Sequence, residues 1–146
     1  MADHILITGA SGIIGTRLTE MLQTRGYTVS HLGRTKSEGL IKSFVWNVDK
    51  QIIEPGALRN ISAIIHLAGA GVAESRWTND RKRVILESRT RSTELLVKEL
   101  KKGKHGVKTF ITASAIGYYG FENTDKVYPE DDAPGNDFLA NVTRQW

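Results

Sequence analysis

The chain opens with an apolar segment that runs directly into three glycines spaced three residues apart. Residues 5–15 read Ile-Leu-Ile-Thr-Gly-Ala-Ser-Gly-Ile-Ile-Gly, and apolar residues at helical spacing follow at once. In α/β proteins this strand–turn–helix unit binds the pyrophosphate of a dinucleotide. Gly9 allows the tight turn, Gly12 lets the backbone approach the phosphates, and Gly15 lets the helix pack closely on the strand.

The N–H groups at the start of the helix face such an anion, and the helix dipole favours its charge. The alternative is a glycine-rich turn that binds no ligand, but the position between a strand and a helix favours binding. The residues predicted to contact a dinucleotide here are Gly9, Ser11, Gly12, Ile13, Ile14 and Gly15.

The composition is that of a soluble globular domain. The chain has 146 residues, of which 40% are hydrophobic and 25% charged, enough to build one domain with a core. It has no cysteine, which excludes disulfides, thiolate catalysis and zinc–thiolate sites. The sequence shows no apolar run of bilayer-spanning length and no signal peptide, so we expect a cytoplasmic protein without a membrane partner.

The net charge of +4 is modest, and its distribution does not indicate nucleic-acid binding. The densest basic run, residues 81–83, is followed by acidic and basic residues that alternate at helical spacing. This pattern is typical of a solvated helix face, and no nucleic-acid reader motif is present. We therefore predict no nucleic-acid partner.

Strands and helices alternate along the chain, which predicts an α/β protein with a Rossmann-type, doubly wound parallel sheet and helices on both faces. The first helix has an apolar stripe of Ile14, Leu18, Met21 and Leu22, and Gly26 is placed to end it. The predicted strands are 4–8, 27–32, 43–48, 62–67 and 107–113; the predicted helices are 13–25 and 79–102, with a weak helical turn at 55–60 and a final helix from 137.

Three segments resemble the extended short-chain dehydrogenase/reductase superfamily: Thr8–Gly15, His66-Leu-Ala-Gly-Ala70 and Ser114-Ala-Ile-Gly-Tyr-Tyr-Gly120. More narrowly, they resemble its atypical branch of nucleoside-diphosphate-sugar epimerases. Arg76-Trp77, Glu87-Ser88-Arg89 and residues 137–140 also match that branch, so the resemblance covers essentially the whole chain.

Members of this branch are much longer than this chain, and the additional half carries most of the substrate pocket. The sequence also stops within its final helix without a cap or breaker. We therefore expect residues 1–146 to be the NAD(P)-binding Rossmann domain of a longer protein, truncated before its C-terminal substrate domain.

The cofactor preference is predicted from the end of the second strand, where residues 33–36 contain no carboxylate. An acidic residue there binds a ribose 2′-hydroxyl, whereas an arginine accommodates a 2′-phosphate. Arg34 offers charged hydrogen bonds and Lys36 a point charge, so we predict NADP rather than NAD. The alternative, that Arg34 is only a solvated cation of the loop, remains open. Arg17 in the first helix is a second, weaker candidate for contacting the 2′-phosphate.

Other cofactor contacts follow the third and fourth strands. The resemblance implies that Asp49 lies near the adenine, although a surface-turn aspartate is equally compatible with its position. The small residues after the fourth strand let a ribose and phosphates lie against the backbone, and a simple turn is the alternative. These residues are Leu67, Ala68 and Gly69. His66 is predicted to be a hydrogen-bonded core residue rather than a base, and it lacks neighbours in metal-ligand spacing.

Ser114 is the first candidate catalytic residue, because it ends the fifth strand at the carboxyl edge of the sheet. The resemblance implies that this serine hydrogen-bonds the reacting oxygen, while a tyrosine and a lysine four residues later act as acid and base. If the final helix carries that pair, the positions are Leu139 and Thr143, and neither has the required chemistry. Tyr118 or Tyr119 is then a substitute acid, a packing partner of the nicotinamide, or an ordinary turn aromatic.

The resemblance thus implies an NADP-dependent oxidoreductase or epimerase that acts on a nucleotide sugar or a small carbonyl or hydroxyl compound. Epimerisation, dehydration and reduction remain open. The missing tyrosine–lysine pair favours an alternative, an NADP-binding regulator or scaffold without turnover; a nucleotide-binding half without activity of its own is a third. By analogy with related folds, the long helix is a candidate homodimer surface. Trp77 is either a packing residue or part of the pocket.

Overall fold

A six-stranded sheet forms the centre of the computed structural model, which describes residues 3–36, 39–121 and 125–146. The strands lie in the order β4-β3-β2-β1-β5-β6, and all pair in parallel except β4, which is antiparallel to β3. Their bounds are β1 His4–Thr8, β2 Thr28–Gly33, β3 Lys42–Asn47, β4 Ile52–Ile53, β5 Ala63–His66 and β6 Thr109–Thr112. The strand order reverses between β1 and β5, the position at which open α/β sheets bind ligands.

Helices cover both faces of this sheet, as predicted. Alternate residues of β1 point to opposite faces. Ile5 and Ile7 pack beside Leu18 and Leu22 of the first helix, whereas Leu6 belongs to the cluster on the other face with Leu95 and Leu96 of the second. The helices are α1 Ile13–Thr24, α2 Asn79–Lys101 and α3 Phe138–Gln145, and one turn of 3₁₀ helix spans Ile116–Tyr119.

The ends of the helices follow the sequence signals. Gly26 has a φ of +82°, and the amides of Gly26 and Tyr27 donate to the carbonyls of Gln23 and Leu22, closing α1 with a Schellman motif. Thr78 caps α2 by accepting a hydrogen bond from the Arg81 amide at 3.2 Å. Within the described ranges, none of the helices is both long and apolar enough to cross a bilayer.

Three local predictions were wrong. The strand β4 was missed, because two residues are too few to show a pattern; it pairs with Trp46 and Asn47. Residues 55–60 form turns rather than a helical turn, and Gly56 there has a φ of +85°. Ile14 is 69% exposed and is not part of the core, since it lies in the first turn of α1, at the edge of the sheet.

Candidate functional site

The predicted dinucleotide-binding turn packs backbone against backbone where β1 and β5 end. Gly9 has a φ of +69°, and a Cβ at this position would lie 2.8–2.9 Å from main-chain atoms of Leu67 and Ala68. A side chain is therefore excluded by both the backbone conformation and the available space. The main chain of the turn therefore lies directly against the main chain of the segment after β5, and we call the two segments together the glycine shelf (residues 9–12 and 67–69).

The other two glycines of the motif differ in their surroundings. A Cβ on Gly15 would lie 2.5 Å from the Gly9 carbonyl oxygen and 2.6 Å from the Ala10 Cα, so this glycine brings α1 directly onto the turn. Gly12 is exposed, and a Cβ there would meet only the Gly9 carbonyl oxygen, at 3.4 Å. As the N-cap of α1, Gly12 offers no side-chain cap to the first-turn N–H groups. The backbone at Gly12 is thus open to approach from outside.

A buried network of polar side chains holds the main chain of the shelf at Leu67 and Ala68. Thr8 Oγ1 accepts hydrogen bonds from the amides of Leu67 and Ala68, each at 3.2 Å. It lies 2.6 Å from His66 Nδ1, and His66 Nε2 lies 3.1 Å from Ser92 Oγ on α2. Thr8, His66 and Ser92 are all fully buried. His66 is therefore a hydrogen-bonded core residue, as predicted.

The direction of each proton in this network follows from the partners. Ser92 Oγ donates to the carbonyl oxygen of Ser88 at 2.7 Å or of Arg89 at 3.0 Å, so it accepts from His66 Nε2–H. Nδ1 is then the acceptor for the Thr8 hydroxyl proton. This assigns the neutral Nε2–H tautomer to His66, and burial lowers its pKa from the ordinary 6.5 to about 4.

The charged residues after β2 and β3 differ in whether they form ion pairs. Arg34 is exposed and forms no ion pair with any residue that the structure describes. Lys36 pairs with Glu54 at 3.2 Å, and the hydrogen bonds from Val45 and Lys36 lower the pKa of the Glu54 carboxyl. Asp49 is exposed in the turn after β3, where Arg91 of α2 lies 3.4 Å from its carboxylate. Arg34 is therefore the less engaged of the two basic residues at the end of β2.

The candidate catalytic residues follow β6. Ser114 is exposed between β6 and the 3₁₀ turn. The Tyr119 hydroxyl donates to the Pro129 carbonyl at 3.1 Å, and its ring stacks on Tyr128 at a centroid distance of 5.0 Å. Tyr118 is half-buried and packs edge-on against Tyr119. The structure thus engages the Tyr119 hydroxyl in a structural contact.

The final helix lies against this turn. A Cβ on Gly117 would lie 3.3 Å from the Leu139 Cβ, so α3 and the 3₁₀ turn are in direct contact. Thr143 donates its hydroxyl to the Leu139 carbonyl at 2.8 Å, within the helix. Neither residue offers a proton-transferring group to a substrate.

Sequence reasoning missed the polar residues on the buried face of α2. Ser92 is fully buried on the same face as Ile85, Leu95 and Leu96. A serine in the apolar stripe of a helix signals a buried hydrogen bond, and this spacing could have revealed it. Across the described part of the chain, no three His, Asp or Glu side chains are grouped in a way that could hold a metal ion.

Known proteins are similar to this chain over its whole length. The sequence profile described as "NAD dependent epimerase/dehydratase family" matches residues 5–141. The epimerase family protein Mb2239 of Mycobacterium bovis is 35% identical over 100% of this chain, which covers 48% of that protein. The chain thus spans about half the length of the curated relatives that it matches.

Solved structures agree with this comparison. The human epimerase family protein SDR39U1, solved with NADPH, has a TM-score of 0.82 and 28% identity, with 98% of this chain and 47% of that chain covered. MoeE5, solved with UDP-glucose and NAD, has a TM-score of 0.72 and 26% identity, with 97% and 46% covered.

Replacing Gly15 by alanine should destabilise the fold. The added Cβ meets main-chain atoms that cannot withdraw without opening the turn, so we expect a loss of about 1–3 kcal/mol in the free energy of unfolding. Gly12→Ala, the matched control, should lose less than about 1 kcal/mol. Urea denaturation measures both, and equal stabilities of the two variants would contradict this packing.

The stability of the protein should fall in acid because of His66. The unfolded chain takes up a proton near pH 6.5, whereas the folded chain keeps His66 neutral to about pH 4. Its contribution is therefore complete above pH 6.5 and is lost as the pH falls toward 4, at about 1.4 kcal/mol per pH unit. Urea denaturation between pH 4.5 and 7 tests this, because the loss should occur over the roughly two pH units below 6.5.

His66→Gln is the control for this pH dependence. His4 and His31, whose pKa values burial also lowers, titrate in both proteins and cancel in the comparison. The variant should therefore show a slope shallower by about one proton. Two parallel stability curves would show that His66 does not carry the effect.

Proposed function

The chain belongs to the NAD dependent epimerase/dehydratase family, and from that premise we propose that it binds NADP on the glycine shelf. The observation that carries this proposal is the open backbone at Gly12, where α1 begins. Exposed first-turn N–H groups and the dipole of a twelve-residue helix suit a pyrophosphate. The human relative solved with NADPH supports the proposal.

The residues around the shelf fit the remainder of a dinucleotide. Ile13 and Ile14 expose 93% and 69% of their surface beside the turn, an apolar surface suited to a ribose or nicotinamide ring. On the other side, Leu67, Ala68 and Gly69 present main chain and small side chains. The shelf thus combines phosphate-binding N–H groups with apolar contacts.

The preference for NADP over NAD rests on Arg34. The residue follows β2, where the adenosine ribose lies in doubly wound folds, and it is exposed. Its planar guanidinium suits a 2′-phosphate, and residues 33–36 supply no carboxylate for a 2′-hydroxyl. Asp49, after β3, is proposed to lie near the adenine.

The proposed reaction is hydride exchange with a nucleotide sugar, for which the bound nicotinamide supplies the hydride chemistry. Ser114 is proposed to hydrogen-bond the reacting oxygen of the substrate. Tyr118 is proposed to donate or accept the proton, because the hydroxyl of its neighbour Tyr119 is engaged with Pro129. The complex of MoeE5 with UDP-glucose and NAD supports this substrate class.

A second candidate function is NADP binding without turnover. It is favoured by Leu139 and Thr143, which stand where the resemblance implies a tyrosine and a lysine. Leucine has no ionisable group and threonine carries no positive charge, so these two positions supply neither the acid nor the cation of that pair. The measurements of cofactor binding and of hydride exchange separate the two functions.

Arg34→Ala should abolish the preference for NADPH. We expect NADPH to raise the melting temperature of the wild-type chain more than NADH does, because the tighter ligand stabilises the folded state more. Losing a charged phosphate contact should weaken NADPH binding about tenfold and leave NADH binding nearly unchanged.

Arg59→Ala is the matched control for this experiment, because Arg59 is exposed in the turn before β5. It therefore lies toward the amino ends of the parallel strands, whereas Arg34 follows the carboxyl end of β2. The Arg59→Ala substitution removes the same charge and should leave the preference intact. A preference that survives Arg34→Ala would remove the role assigned to this residue. If neither coenzyme raises the melting temperature of the wild type, the proposed function is wrong.

Tyr118→Phe should abolish hydride exchange without abolishing cofactor binding. With UDP-glucose and NADP⁺ as probes, the loss should be at least about 100-fold, as expected for a proton-transferring group. The transient absorbance of the reduced nicotinamide in a single turnover measures the rate of hydride transfer from the sugar, whether or not the hydride is then returned. Tyr119→Phe, which removes only the contact with Pro129, should retain most of the activity. NADPH binding by an inactive 146-residue chain would contradict the proposed reaction for this chain, and it would fit both the second function and a nucleotide-binding half without activity of its own.

A further inference from the structure

Two neighbouring residues of α2 hold both backbone groups of Ala70, the residue that follows the glycine shelf. The Ala70 amide donates to Ser88 Oγ at 2.9 Å, and the Ala70 carbonyl accepts from Arg89 Nη1 at 3.0 Å. These residues lie within the Glu87-Ser88-Arg89 segment, for which the sequence suggested no role. The helix α2 is therefore joined to the residues on either side of segment 67–69 by these two hydrogen bonds to Ala70 and by the His66–Ser92 contact.

Arg89 is itself held in place. Its Nη1 also donates to the Ile85 carbonyl at 2.9 Å, and the guanidinium lies 5.0 Å from the centroid of the Trp146 ring. Burial lowers the pKa of this guanidinium, although an arginine keeps its charge. Such a side chain has few alternative rotamers, so it offers the Ala70 carbonyl a fixed donor.

The shelf also packs directly on this guanidinium. A Cβ on Gly69 would lie 3.0 Å from the Arg89 Cζ, so the main chain of Gly69 rests against the planar group. The carbonyl of Gly71, the residue after Ala70, accepts a hydrogen bond from Arg81, which lies about two turns before Arg89 on α2. The main chain of residues 69–71 is thus held by the helix throughout.

This fixation matters for binding because a loop that orders only when a ligand arrives lowers the affinity by the entropy it loses. We propose that Ser88 and Arg89 are positioning residues, which preorganise the glycine shelf for the dinucleotide by holding Ala70 without contacting the ligand. This inference rests on the proposed function, since it concerns the affinity of the same site.

The test compares Ser88→Ala with Thr90→Ala in the 146-residue chain. Thr90 is a matched control, because it is half-buried on the same helix and its hydroxyl bonds only the Leu86 carbonyl within that helix. Amide hydrogen exchange measured by NMR without ligand reports on the Ala70 N–H, and NADPH fluorescence reports on affinity. Melting temperatures show whether the two variants lose similar stability.

We expect Ser88→Ala to accelerate exchange of the Ala70 amide and to weaken NADPH binding about threefold to tenfold, the range for one lost hydrogen bond. Ser88→Thr, which keeps the hydroxyl, should restore both, and Thr90→Ala should change neither. Arg89→Lys keeps the charge but loses the planar donor pair, and should weaken binding to a similar extent.

Two results would overturn the inference while leaving the proposed function intact. In the first, Ser88→Ala leaves the exchange rate of the Ala70 amide unchanged. In the second, Ser88→Ala accelerates that exchange but binds NADPH as tightly as Thr90→Ala does. A wild-type chain that binds neither NADPH nor NADH would overturn the proposed function, and this inference with it.

Discussion

The contact between the main chain at Gly9 and the main chain at Leu67 and Ala68 is the constraint on which the rest of the structure depends. It joins the ends of two adjacent strands, β1 and β5, where the strand order of the sheet reverses. No side chain fits between them, so the surface above is made of peptide groups. Because peptide N–H groups bind anions without a specific side chain, we propose that the dinucleotide phosphates bind to this surface.

Buried polar side chains beneath the strand ends stabilise the contact of Gly9 with Leu67 and Ala68. Unpaired, the Thr8 hydroxyl and the His66 ring would each impose a desolvation cost, but the two groups are hydrogen-bonded to each other and the other ring nitrogen of His66 is hydrogen-bonded to Ser92. The result connects β1, β5 and α2 through directional hydrogen bonds, which apolar packing alone does not provide. Within the same network, only the neutral histidine can accept the Thr8 proton, and burial, which lowers the pKa of His66, favours that neutral form.

The part of the site that follows β6 is organised differently. Tyr118 packs on Tyr119, which in turn stacks on Tyr128 and donates its hydroxyl to the Pro129 carbonyl. Where the resemblance implies a tyrosine and a lysine on the final helix, Leu139 packs on Gly117 and Thr143 bonds its own helix. The main chain of the glycine shelf is therefore fixed by hydrogen bonds, whereas positions 139 and 143 carry neither the tyrosine nor the lysine that would transfer a proton. For this reason cofactor binding and turnover require separate measurements.

The sequence by itself determined the fold class, the family resemblance and the end of α1, because the glycine spacing and the helix-ending Gly26 are local signals with direct backbone consequences. Apart from β1, the bounds of the predicted strands differed from the observed ones by one or two residues. The sequence also identified His66 as a core residue, because a lone polar side chain in an apolar strand must be hydrogen-bonded. Only the tertiary structure decided which partners that histidine has, that Lys36 pairs with Glu54 whereas Arg34 does not, and that Ser88 and Arg89 hold Ala70. These pairings join residues distant in the chain, and local sequence patterns carry no information about which distant elements meet or how their side chains are oriented.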